Sequence, residues 1–230
     1  AVLATIAGVV FVHQFSGFFQ ISQEMANIPP DSSRTDEAED AITAVQLENR
    51  SLVISLTCAV GGLLFALAGG LQYRSGVSSV KSAAGGLLVG MVLGLSLTWL
   101  AGAIPSSFFP PPDVRTMTTA QQDTQKMMST AVEQGILFLG ICVSAIFAAR
   151  LSSRQGSWMT QGIGALVAAV IAVAVYQMGL AILLPTENFD QIVPEKPGVA
   201  ALWMGAAFVM AAVTCARLSR VQSPEIVENK

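Results

Sequence analysis

His13 is the only histidine in this chain of 230 residues, and Gln14 follows it inside a stretch without charge from Ala1 to Gln23. Imidazole can relay a proton or offer a neutral ligand nitrogen, and an amide offers both a donor and an acceptor. Polar groups placed in a bilayer are costly, so they face a bundle interior or a water-filled cavity and mark pathways for ions or solutes. Five further residues have this character: Thr98, Glu133, Gln134, Tyr176 and Gln177. Counting about 1.5 Å of rise per residue, His13 lies roughly 18 Å from the start of its helix, and Thr98 and Tyr176 reach a similar or slightly higher level. Glu133 and Gln134 open a later apolar stretch from the opposite side. A polar layer built from four helices is therefore expected in the outer half of a membrane. In it Glu133 would offer a carboxylate to a cation or proton, and Gln14 and Gln177 their amide dipoles. The competing reading gives the same residues quieter roles. Glu133 then sits at headgroup level, Trp99 and Tyr176 anchor the interface, and the glutamines bond between helices.

Catalytic chemistry finds no support in the sequence. The segment "GLSLT" at 94–98 is not G-x-S-x-G, and one histidine would have to serve every base role. There is no phosphate loop, dinucleotide fingerprint, H-E-x-x-H or paired CxxC. No enzyme, cofactor or metal centre is expected. The three cysteines, Cys58, Cys142 and Cys215, are odd in number and fall in three different apolar stretches, so they read as free thiols. The acids Asp36, Glu37, Glu39 and Asp40 read as a solvated helix start, where negative charge suits the helix dipole.

The elements that must position the polar residues are set by composition. Hydrophobic residues make up 53% of the chain and charged ones 12%, about half the charged share of an ordinary soluble domain. An all-α integral membrane protein is expected, because a backbone crossing lipid must satisfy its own hydrogen bonds and the apolar runs do not alternate as barrel strands would. A bilayer crossing needs roughly 17 to 25 apolar residues. Six spans are predicted on that basis, at about 1–22, 51–73, 82–105, 130–150, 158–185 and 199–217, forming one domain over 1–220 with a cytoplasmic tail at 221–230. The first reads as a span rather than a signal peptide, since it has no basic leader and no clean cleavage site.

Arg74 and Lys81, Arg150 and Arg154, and Arg217 and Arg220 cluster at one set of helix ends, while most acids and nine of the ten prolines fall at the other. The density of basic residues at short loops places that first side in the cytoplasm, with both termini there and a multi-pass topology in a bacterial-type inner membrane. The net charge of −3 and the lack of a basic patch exclude nucleic acid as a partner and leave the lipid bilayer as the expected surroundings.

The ends "GGLQYRSG", "AARLSSRQG" and "CARLSR" of the even spans resemble one another, and three tandem hairpins pairing spans one with two, three with four, and five with six are predicted. Gly86, Gly90, Gly94 and Gly102 recur along span three, and Gly62 and Gly70 along span two. Such stripes let backbones approach, either within the bundle or against a membrane-protein partner or second copy. Ahead of span two, Ala38, Ala41, Ile42 and Val45 form an amphipathic pattern. Ahead of span four, Thr118 and Gln121 have capping-box spacing. Helices two and four are thus predicted to extend outward into a small cap.

One resemblance follows from order and punctuation. A first span ending before "ISQEMA", a glycine-rich third span from "GGLLVGMVLG" to "AIPSSFFPPPD", and a fifth span ending at "LLPTENFDQIVPEKPG" resemble the plan of the CbtA-like family of bacterial membrane proteins, which are predicted cobalt transporter components. The resemblance implies an accessory role in cation transport. The sequence thus leads to a small transport-type membrane protein moving, or helping to move, a cation or small solute. The alternative is a non-catalytic structural or assembly component of a membrane complex.

Overall fold

The computed structural model describes residues 1–15, 17–22, 35–73, 76–108, 118–153, 157–184, 194 and 196–221. They form six helices: α1 (Val2–Phe15), α2 (Thr35–Tyr73), α3 (Gly76–Phe108), α4 (Thr119–Ser153), α5 (Trp158–Leu183) and α6 (Pro197–Val221), with no strand among the described residues. Five of them contain stretches long and apolar enough to cross a membrane: Asp40–Ala68, Val80–Ala101, Met128–Arg150, Trp158–Leu183 and Pro197–Arg217. The predicted tail lies outside the described residues from 222 onward, as does much of the outer loops.

The first predicted span is shorter in the structure. α1 has 14 residues, a length of roughly 21 Å against the ~30 Å of a hydrocarbon core, and it ends at Phe15 rather than 22. The reason lies in α2. Asn49 is buried, its Oδ1 accepts from the backbone N–H of Phe19 at 2.8 Å, and its Nδ2 donates to the Phe19 carbonyl at 2.9 Å. One amide thereby supplies both hydrogen bonds that a continued helix would have given Phe19.

The long helices run past their apolar stretches. α2 has 39 residues and α4 has 35, each more than 50 Å by the usual rise. At the start of α4, Thr118 donates from both its backbone N–H (3.0 Å) and its Oγ1 (3.1 Å) to Gln121 Oε1, so the predicted cap residues do meet. At the start of α2, Ala38 is buried and Ala41 and Val45 are half-buried, whereas Ile42 faces out, 45% exposed. The inward stripe continues instead to Asn49, one helical repeat further on.

Each predicted hairpin pair is in contact, α1 with α2, α3 with α4 and α5 with α6. The most extensive contact is between α2 and α3, which belong to different predicted hairpins. α4 packs against α2, α3, α5 and α6, and α1 closes the bundle between α2 and α6. Two three-helix groups, α2–α3–α4 and α4–α5–α6, thus share α4.

The α2–α3 contact explains the glycine stripe. A methyl group on Gly62 would strike the Gly86 carbonyl, one on Gly90 the Cys58 carbonyl, and one on Gly94 would lie 2.6 Å from Ser55 Cα. Partner positions fall as α3 positions rise, so the two helices run antiparallel with their backbones in contact. Gly86, Gly90 and Gly94 of the α3 stripe are thus covered by α2 within the chain. Gly70 and Gly102 lie in α2 and α3, with surroundings outside what is described. Other glycines receive side chains: Gly61 takes Phe208, Gly8 takes Met204 and Gly140 takes Leu97. The core gathers around Trp203, Phe138, Phe208 and Tyr176, with the Trp203 and Phe138 rings 4.7 Å apart.

Candidate functional site

The structure unites part of the predicted polar layer. α4 and α5 run antiparallel, and Gln177 Nε2 donates to Gln134 Oε1 at 3.1 Å. Gln134 is fully buried, and its side chain is also hydrogen-bonded to the Tyr176 hydroxyl. Tyr176 is 1% exposed and its ring meets Phe138 edge-on at 6.1 Å. The pair lies six residues inside the ends of both apolar stretches, a depth of about 9 Å. Two amides and a phenol therefore stand together below the membrane surface with their polar atoms turned toward one another.

Glu133, the neighbour of Gln134 on α4, is half-buried and accepts from Ser129 Oγ at 3.3 Å. It lies within electrostatic reach of Arg50 on α2. A carboxylate answered by a hydroxyl and a guanidinium at the rim of an amide cluster can hold a cation-exchange role or steer a polar solute inward. Arg50 is the member that sequence reading missed. Its signal was available: "LENRS" puts a guanidinium at the last position before a long charge-free run.

Other predicted members do not join. Thr98 is buried, but its Oγ1 donates to the Gly94 carbonyl of its own helix at 2.7 Å, which satisfies it locally. His13 and Gln14 are exposed, on the side of α1 opposite the buried Ala4, Gly8 and Val12. Within the described residues His13 is not hydrogen-bonded to Glu133. Trp99 is 66% exposed on α3, consistent with an anchor facing lipid or the interface.

The free thiols Cys58 and Cys142 are buried and Cys215 is half-buried. Cys142 Sγ donates to the Ala207 carbonyl at 3.7 Å. Among the described residues, no group of three metal-ligating side chains comes together.

No family model, curated protein or solved structure matches this chain. What fold and site define is a class, a multi-pass helical membrane bundle with a buried amide cluster between its central helix and α5.

Proposed function

We propose that this protein is of transport type and moves, or helps to move, a cation or small polar solute through the α4–α5 region. The observation that carries this reading is the buried Gln134–Gln177–Tyr176 cluster, with Glu133 at its rim. Amide and phenol groups at that depth cost free energy unless they serve packing or passage, and an ionisable neighbour favours passage. Glu133 would collect the solute, and the glutamine oxygens would replace part of its hydration. His13 has no part in this site. The orientation proposed from basic residues puts the cluster near the outer face of a bacterial-type inner membrane, with both termini cytoplasmic and helices α2 and α4 reaching outward as a cap. The cation-transport accessory role that the family resemblance implies fits the same site.

A second reading has its own support. Phe138 packs between Tyr176 and Trp203, so the cluster rests on a tightly filled aromatic floor, as expected of a structural or assembly component. Flux separates the two. In vesicles loaded with a metal-sensitive or pH-sensitive dye, with Co²⁺ and protons as probes, Glu133→Gln and Gln134→Leu should each slow uptake about tenfold or more, the factor for losing one charge-assisted hydrogen bond. Uptake equal to wild type in both folded variants would refute the site.

A further inference from the structure

At the opposite end of the α4–α5 pair, a cation is held without a counter-charge. The Arg150 guanidinium lies 3.8 Å over the Trp158 ring, and its Nη1 donates to Gln161 Oε1 at 3.2 Å. The Phe147 ring also packs against the indole, with centroids 4.7 Å apart. Two neutral groups thus fix the position of Arg150, and no carboxylate pairs with it among the described residues. A guanidinium carries five N–H donors, so most of them remain free for an anion.

The same two helices carry an open apolar groove. It has a volume of about 420 Å³ and is lined by residues such as Ile136, Leu139, Leu166, Ala169, Val170 and Val173. The groove and the cation share one stripe. Arg150 follows Leu139 by eleven residues and Trp158 precedes Ala169 by eleven, close to three turns at ~3.6 residues each. Both helices therefore present the cation and the groove on the same face, some 16 Å apart along the axis. Between them α5 offers Gly162, beside which a side chain would meet nothing within 4 Å. The near end of the groove, at Leu166, lies about 12 Å from the level of Trp158, inside the ~15 Å that the tails of one leaflet span.

We propose that this face is a binding site for one anionic phospholipid. Its phosphate takes the free N–H groups of Arg150, beside the indole of Trp158 at headgroup level. One acyl chain passes over Gly162 and fills the groove between α4 and α5. A guanidinium favours this ligand because it binds phosphate oxygens in pairs and stays charged at every physiological pH. The site stands apart from the glutamine cluster and does not depend on transport.

Delipidated protein titrated with phosphatidylglycerol or phosphatidylcholine, and read by native mass spectrometry, tests this. Wild type should retain phosphatidylglycerol about fivefold better, the factor for one basic residue near the lipid surface. Arg150→Gln should erase that preference, whereas Arg217→Gln, exposed on α6, should keep it. Val170→Trp fills the groove from a position already 63% exposed and so leaves the fold intact, and it should lower retention of the lipid. Equal retention of the two lipids by wild type would overturn the proposal. So would a preference that survives in Arg150→Gln, or full retention in Val170→Trp if Arg150→Gln does not fold.

Discussion

Gly90→Leu is expected to destabilise the bundle by about 3 kcal/mol or more, the upper end for an overpacked core. A Cβ at Gly90 would lie 2.6 Å from the Cys58 carbonyl carbon and 2.9 Å from Ala59 Cα, both backbone atoms of α2. No rotamer relieves that overlap, so α2 and α3 must separate and lose the dispersion contacts that hold helices together in lipid, where no hydrophobic force acts between them. The neighbouring contacts at Gly86 and Gly94 would open with it. Thermal unfolding in detergent and elution as a single species provide the readout. Gly162→Leu is the control, since nothing lies within 4 Å of its added carbon. A wild-type transition for Gly90→Leu would contradict the backbone-on-backbone packing of α2 and α3.

Trp203 yields the second large effect, and with an internal contrast. It is fully buried with its ring tilted against Phe138, but its indole Nε1 has no hydrogen-bond partner among the described residues. Trp203→Ala leaves a cavity beside Phe138 and should cost about 3 to 5 kcal/mol. Trp203→Phe keeps an aromatic ring and removes the unpaired donor. The relief of that donor offsets part of the lost volume, so the cost should stay below about 1.5 kcal/mol. Equal destabilisation by the two changes, measured by the same thermal transition, would show that the indole nitrogen is satisfied.

Much of the bundle was legible in the sequence: the six apolar stretches each hold a helix, although the first, charge-free from Ala1 to Gln23, forms one of only 14 residues. The glycine spacing of α3 was legible too, since small residues every four positions can only make a smooth stripe. Its partner was not: the matching stripe on Gly62 and Ala59 is diluted by Cys58 and Ser55, which contribute backbone rather than small side chains. The cap residues Thr118 and Gln121 were readable from spacing alone.

The direction in which His13 faces was beyond reach for a physical reason. α1 is apolar on every side, and lipid and protein interior select the same residue types, so no periodic signal says which face packs. Depth along the helix could be counted, but rotation about its axis could not. The end of α1 depended on Asn49, thirty residues away in sequence, whose amide captures the backbone of Phe19. The central place of α4 likewise comes from packing, not from any property of its own segment. Gln134 and Gln177 could be placed at one depth by counting, whereas their hydrogen bond required the antiparallel register of α4 and α5.

The central claim is that the Gln134–Gln177–Tyr176 cluster meets water during function. It is tested most directly by placing a thiol there, in a protein whose three natural cysteines are replaced by alanine. Thiols react as thiolates and need water to ionise. In sealed vesicles, Gln177→Cys should be modified by a membrane-impermeant maleimide from one face, while Val175→Cys, 45% exposed on the outer surface of the same helix, should not. A Gln177→Cys thiol that stays unmodified from both faces would contradict the account and make the cluster a packing element of a closed bundle.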